Sequence, residues 1–201
     1  MTLPGNNPLN GLILIGGRSS RMQKDKSTLQ YHNQNQREHL VQLLSPLCSQ
    51  IFLSCNASQA AELGDKYCIV QDSREGIGPI GGIHAAFAQF PDAAWLVVAC
   101  DLPLLSVGTL SHLISHRQTG KQATAFRSGE KGFPEPLLAI YEPAAYPEIA
   151  FGIQSGQYSP SKILLKMDVA WLEVLDENEL KNVNDPEGYR RTLGEIRSPL
   201  K

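Results

Sequence analysis

The chain has 201 residues, 42% of them hydrophobic and 19% charged, which is the size and composition of one globular domain whose core needs neither disulfides nor a structural metal. Eighteen Lys and Arg against twenty Asp and Glu leave a net charge of -2, which excludes a polycation that grips nucleic acid or an anionic membrane by charge alone. An aromatic fraction of 7% is also too low for a platform on which a single strand of nucleic acid could stack.

Residues 1–10 hold two prolines, a glycine and three asparagines and read as a flexible lead-in, with the ordered fold expected from Gly11 as a single domain over 11–201. They lack a basic region followed by an apolar one, and no apolar stretch reaches the roughly 20 residues of a membrane span, so a cytoplasmic protein is expected. GLILI at 11–15 is a run of branched apolar residues bounded by glycines, the pattern of a strand buried on both faces of a parallel sheet. After a polar loop, Leu40, Leu43, Leu44 and Leu47 recur at spacings of three and four and predict a helix over 34–47. IFLSC at 51–55 predicts a strand, 59–63 a short helix, 67–70 a strand, 81–90 a helix, and WLVVAC at 95–100 the most apolar strand, followed by a helix over 107–117.

This alternation predicts an α/β domain with a mainly parallel sheet and right-handed crossovers, with ligands at the carboxyl ends of the strands. Further on, 122–128 and 136–142 predict strands separated by GEKGFPE; two helical pieces flank 155–159, a strand follows at 171–175, and a final helix begins at Pro186. The four cysteines, Cys48, Cys55, Cys68 and Cys100, form no CxxC pair and read as small buried hydrophobes in a reducing compartment.

The loop 16–27 carries four cations, Arg18, Arg21, Lys24 and Lys26, against the single carboxylate of Asp25. Two glycines at a strand's end let backbone N–H groups approach an anion, and arginines supply forked donors that suit phosphate. Such loops are often only solvated surface, but the position after a buried first strand favours a local anion site. It is not a P-loop, because Asp25 rather than glycine precedes Lys26-Ser27.

GIGPIGG at 76–82 matches GxGxxG through Gly76, Gly78 and Gly81, with Asp101 twenty residues past Gly81. The match follows the third strand rather than the first, and Asp72-Ser73-Arg74-Glu75 intervene, which argues against a dinucleotide fingerprint and leaves a glycine loop leading into a helix N-terminus. Asp101 stands at the end of the most apolar strand, and Pro103 stops that strand from continuing. A carboxylate there suits Mg²⁺, which takes one or two carboxylates and fills its shell with water and phosphate oxygens. The alternative, a cap for the following helix, fits Ser106 better. His112 and His116 lie four apart on a predicted helix with no third ligand nearby and read as surface residues. A GxSxG elbow is absent, and no cysteine sits in a basic setting, so covalent catalysis lacks an agent.

Taken in order, LILIGGRSSRMQKDKSTL, the aspartate of IVQDS, GPIGGI, VVACDLPLL, FPEPLLAIY and NVNDPEGY resemble the molybdenum cofactor guanylyltransferases over residues 11–192, with GPIGGI favouring the guanylyl over the cytidylyl branch. The resemblance implies a Rossmann-like three-layer α/β/α sandwich with a mainly parallel sheet, of the nucleotide-diphospho-sugar transferase type. It implies transfer of GMP from GTP to molybdopterin carrying molybdenum, with pyrophosphate released and Mg²⁺ as cofactor. Proteins that insert the cofactor and molybdoenzyme chaperones would be partners, with no nucleic acid and no membrane involved.

By the same resemblance the nucleotide loop falls on Leu14, Ile15, Gly16 and Gly17, the phosphate-binding lysine on Lys26, guanosine contacts on Asn56 and Asp72, and the magnesium ligand on Asp101. The segments around the second substrate fall on Pro134, Glu135, Pro136 and Leu137 and on Asn182 and Asn184. Ile15 stands where alanine is usual, Gln23 where glycine follows the methionine, Ser54 where some members have asparagine, and Asp185 where threonine precedes the proline. In the implied reaction Asp101 holds the metal, while Lys26 and Arg21 stabilise charge on the leaving pyrophosphate. Two rival readings are a related transferase using CTP or another acceptor, and a non-catalytic nucleotide-binding regulator.

Overall fold

Every residue of LNGLIL is buried in the first strand, β1 (Leu9–Leu14), as expected for an apolar run covered on both faces of a sheet. The computed structural model describes residues 7–16, 25–72, 74, 76–129 and 132–197. The first strand begins two residues before Gly11, because the N–H of Ala94 donates to Pro8 O and Leu9 pairs with Ala94. The chain continues through α1 (Gln36–Leu44), β2 (Ile51–Cys55), α2 (Ala57–Leu63), β3 (Cys68–Gln71), α3 (Pro79–Gln89), β4 (Ala94–Ala99) and α4 (Val107–Ser115). It ends with β5 (Ala123–Ser128), β6 (Phe133–Tyr141), α5 (Tyr146–Gln154), α6 (Pro160–Leu164), β7 (Val169–Glu173) and α7 (Pro186–Arg197).

The seven strands form one sheet in the order β3-β2-β1-β4-β6-β5-β7, in which β6 runs antiparallel to both neighbours and the other pairings are parallel. Successive side chains of β1 and β4 point to opposite faces. Leu12, Leu14, Trp95 and Val97 pack with Ile80, Ile83, Phe87, Ile149 and Ile163 of α3, α5 and α6, while Ile13, Leu96 and Val98 pack with Leu40, Leu44, Leu110 and Leu113 of α1 and α4. The result is the expected mainly parallel sheet with helices on both faces. Chain order reverses between β1 and β4, so the crevice beyond their carboxyl ends is the natural ligand site.

Several boundaries shift for local reasons. Pro46 lacks the N–H that a longer α1 would need, and the helix stops at Leu44 rather than at 47. The strand expected from 136 begins at Phe133 and contains Pro134 and Pro136. It tolerates them because its pairing with β4 covers only Leu138–Tyr141, leaving its first residues as an edge on that side. The cysteines are not uniformly buried: Cys55 and Cys100 are, Cys48 is half-buried, and Cys68 is exposed on β3, the sheet's edge strand. No helix among the described residues is long and apolar enough to cross a membrane.

Candidate active site

The basic loop re-enters the described structure at Asp25, whose Oδ1 accepts the N–H of Ser27 at 2.8 Å and caps the short 3-10 turn Lys26–Thr28. Lys26, first in that turn, turns its ammonium to the end of β4, where Nζ lies 3.5 Å from Asp101 Oδ2 and donates to Asn184 Oδ1. The lysine and aspartate side chains are 20% and 22% exposed, so both charges are only partly solvated. Asp101 Oδ1 is buried and has no hydrogen-bond partner among the described residues. An ionised oxygen left in that state is costly unless a cation meets it, and a hard carboxylate oxygen suits Mg²⁺.

The backbone around Asp101 is held on several sides. Cys100 N–H donates to Leu14 O, and Val183 N–H donates to Asp101 O at 2.9 Å, which brings Asn182 and Asn184 to the site from the far end of the chain. Gln36, fully buried on α1, donates through Nε2 to Leu102 O, and His32 Nε2 donates to Pro103 O at 2.8 Å. Ser106 caps α4, as expected, and its own N–H donates to Glu179 Oε2. Sequence alone offers no signal for His32, Gln36 or Glu179, because each acts across more than sixty residues.

A second carboxylate stands on the opposite side of β1. Asp72, just past β3, accepts a 2.9 Å hydrogen bond from Ser54 Oγ at Oδ1. Burial raises its pKa, and the Ser54 bond pulls it part of the way back. The carbonyl of Ser54 accepts the N–H groups of both Ile15 and Gly16, so the segment leaving β1 and the Asp72 side chain hang on one residue. Gly16 and Gly82 close in around this pair: a Cβ at Gly16 would lie 3.2 Å from Asp72 Oδ2, and one at Gly82 would run into the Ser54 hydroxyl. Gly78, at φ +74°, makes the turn into α3, with Pro79 as the first helical residue.

Asn56 is placed at the start of α2, where its side chain caps the helix by accepting the N–H of Gln59 at 2.9 Å while Gln59 Oε1 accepts the N–H of Asn56. Gln59 also donates through Nε2 to Ile15 O and to Asp25 Oδ2, joining the end of β1 to the returning loop. This residue is absent from the sequence-derived site, although its capping pattern N-x-x-Q is visible in the sequence.

The segment Pro134–Leu137 lies at the same sheet end, because β6 runs antiparallel to β4 and β5 and its first residues sit beside their carboxyl ends. There Glu135 accepts from Ser128 Oγ, and its pKa is raised chiefly by burial. The Arg127 guanidinium lies 4.3 Å from the centroid of the Trp171 ring. Gly17 and Arg21, expected in the nucleotide loop and at the leaving group, lie outside the described residues, as does Gln23.

One ammonium, Lys26, and two carboxylates, Asp101 and Asp72, thus gather at strand ends around a topological switch. Residues 11–168 match the family model described as MobA-like NTP transferase domain. The chain belongs to the MobA-like NTP transferase family. It is 34% identical over 184 residues to the molybdenum cofactor biosynthesis bifunctional protein of Synechocystis sp., an alignment covering 90% of this chain and 53% of that protein, so the chain spans about half the length of this relative. The probable molybdenum cofactor guanylyltransferase of Flavobacterium johnsoniae is 30% identical over 178 residues, covering 88% of this chain and 92% of that one. Among solved structures, molybdopterin-guanine dinucleotide biosynthesis protein A from Archaeoglobus fulgidus superposes with a TM-score of 0.79 at 27% identity, covering 95% of this chain and all of that one. As a MobA-like protein the chain is a nucleotidyltransferase, and the Lys26–Asp101 pair lies within its family-matched region.

Proposed function

We propose that this MobA-like chain transfers GMP from GTP to molybdopterin carrying molybdenum, forming the guanine dinucleotide cofactor and releasing pyrophosphate. The observation that carries this reading is the meeting of Lys26, Asp101 and Asn184 beyond the carboxyl ends of β1 and β4. Gly16, Lys26 and the loop residues Gly17 and Arg21 bind the triphosphate of GTP, with Leu14 and Ile15 at the loop's entry. Asp72 faces the guanine and Asn56 borders the nucleoside. Asp101, whose buried Oδ1 has no hydrogen-bond partner among the described residues, would hold Mg²⁺, which when bound would supply charge neutralisation on the phosphates.

A terminal phosphate oxygen of the pterin substrate attacks the α-phosphorus of GTP, and the bond to the bridging oxygen of pyrophosphate breaks. The protein's part is to align the two substrates and offset the growing negative charge on the leaving group with Lys26 and Arg21. A phosphate nucleophile explains why no catalytic triad is needed. Pro134, Glu135, Pro136, Leu137, Asn182 and Asn184 line the acceptor side, and the protein works in the cytoplasm, handing its product to cofactor-insertion proteins and molybdoenzyme chaperones.

Pyrophosphate release measured with GTP and magnesium, with and without molybdenum-loaded molybdopterin, tests the proposal. Release that depends on both substrates is expected. Release with CTP in preference to GTP would identify the cytidylyl reaction instead, and GTP binding without release in the presence of acceptor would mark a regulator.

A further inference from the structure

We propose that Ser54 is a positioning residue for nucleobase selection: its hydroxyl orients the Asp72 carboxylate so that this group accepts both N–H donors on the edge of guanine. The inference rests on the reading of Asp72 as the group that faces the base of GTP, and goes beyond it by naming the residue that sets its geometry.

Ser54 is 2% exposed on β2, a central strand, and its hydroxyl has the carboxylate of Asp72 as its hydrogen-bond partner at 2.9 Å. The first turn of α3 packs close to the hydroxyl, where the missing Cβ of Gly82 leaves the room that Ser54 Oγ occupies. Asp72 N–H donates to Cys55 O, so backbone and side chain of the aspartate are both anchored to β2. The second oxygen, Oδ2, is the one that stands beside Gly16 at the end of β1. Ser54 thus occupies one lone pair of Oδ1, and among the described residues Oδ2 has no hydrogen-bond partner, so Oδ2 and the second lone pair of Oδ1 are left to accept the two donors on the nucleotide side.

This arrangement matches guanine and mismatches the other bases. The N1–H and 2-amino groups of guanine are two adjacent donors, which an ionised carboxylate, an acceptor only, satisfies together. Adenine and cytosine present a ring-nitrogen acceptor next to their amino donor, which would set lone pair against lone pair. Hypoxanthine keeps N1–H and loses the amino group, so the ratio of affinities for GTP and inosine triphosphate reports how well the carboxylate is aimed. A carboxylate free to rotate would still attract the N1–H but would meet the second donor less well. The donated hydrogen bond also favours the ionised form, against a burial that disfavours it. Among the described residues, the titratable group that feels this carboxylate is the Cys55 thiol on β2, pushed up to about 11 by burial and then by Asp72 and Asp25.

The test measures the dissociation constants of GTP, inosine triphosphate and ATP with magnesium by calorimetry, at several pH values, for the full chain and for Ser54→Ala and Asp72→Asn. Ser54→Ala keeps the backbone bonds to Ile15 and Gly16, so the nucleotide loop stays attached to β2. It should weaken GTP roughly tenfold, the scale of one hydrogen bond to a charged group. It should also narrow the preference for GTP over inosine triphosphate, and move the acid-side loss of GTP binding to higher pH, because Asp72 loses a bond that keeps it ionised. If the variant does not fold, Ser54→Cys, which keeps the volume and donates weakly, takes its place. Affinities that fall by the same factor for all three nucleotides, with the acid limb unmoved, would reduce Ser54 to a structural role and overturn the inference, as would wild-type values throughout. Asp72→Asn separates the two levels: a GTP preference that survives it would sink the reading of the base site itself, whereas its collapse beside an indifferent Ser54→Ala would sink the role of Ser54 alone.

Discussion

Lys26 Nζ stands 3.5 Å from Asp101 Oδ2 although 75 residues separate them. The two arrive from different strand ends, the lysine on the loop that leaves β1 and the aspartate on the turn after β4, and they meet because β1 and β4 are neighbours in the sheet. Each side chain is partly desolvated, so an unpaired partner would retain a costly charge. Asn184 completes the group from the stretch before α7.

Replacing Asp101 with alanine should abolish turnover, by about a thousandfold or more, since it removes the carboxylate proposed to hold the metal and the anionic partner of Lys26 together. Far-ultraviolet circular dichroism should stay unchanged, because the side chain lies beyond the end of β4. Near-normal pyrophosphate release from Asp101→Ala would contradict the assignment.

Lys26→Ala should weaken GTP by one to two orders of magnitude, on the scale of a charge-assisted contact to phosphate. The loss should be smaller for GMP, which lacks the β- and γ-phosphates. Equal calorimetric affinities of variant and parent for GTP would remove Lys26 from the phosphate site.

Gln59 joins three pieces, through its bonds to Ile15 O and Asp25 Oδ2 and its half of the α2 capping box. Gln59→Ala should therefore raise the KM for GTP several-fold while lowering stability by about 1 kcal/mol. Urea titration reads the second effect, and steady-state kinetics the first. A stability loss with an unaltered KM would show that the loop is held without this residue.

His39 offers a pH readout. Burial, reinforced by the stacked His32 ring at 3.8 Å, holds its pKa near 4, below the ordinary 6.5. Folding therefore favours the neutral ring, a stabilisation present in full above pH 6.5 and lost as the pH falls towards 4. His39→Gln should flatten this acid limb. Melting temperatures recorded between pH 7.5 and 4 should decline less steeply in the variant, and parallel curves would rule the histidine out as a contributor.

Arg117 and Glu142 form a two-pronged pair, with Nε–Oε1 at 2.6 Å and the second guanidinium nitrogen 2.9 Å from Oε2, and Glu142 is 2% exposed. The same arginine reaches Asn7 O. Deleting one partner leaves the other charge buried, so Arg117→Ala should cost about 3–5 kcal/mol. The affinity for GTP of the folded fraction should be untouched, since the pair lies at the opposite ends of the strands from Asp101. A loss below 1 kcal/mol in urea unfolding would mean that water reaches Glu142 once the arginine is gone.

Local pattern carries much of this molecule. The apolar runs of β1 and β4, the start of α7 at Pro186, the cap at Ser106 and the position of Asp101 at a strand end are all legible from neighbours in sequence, because propensity, capping and alternation act over a few residues. The motif order from LILIGG to NVNDPEGY is likewise enough to point to the MobA-like family. Other features depend on pieces remote in the chain. Strand order, the extension of β6 through two prolines, the Val183 bond that brings Asn184 to Lys26, and the Ser54–Asp72 pair are decided by what packs beside what. Ser54 illustrates the division. As one letter in IFLSC it is a polar interruption of a buried strand, and only the carboxylate just past β3 and the missing Cβ of Gly82 in α3 make it a donor to Asp72. A hydrogen bond between adjacent strands needs the register of both, and register comes from the tertiary fold.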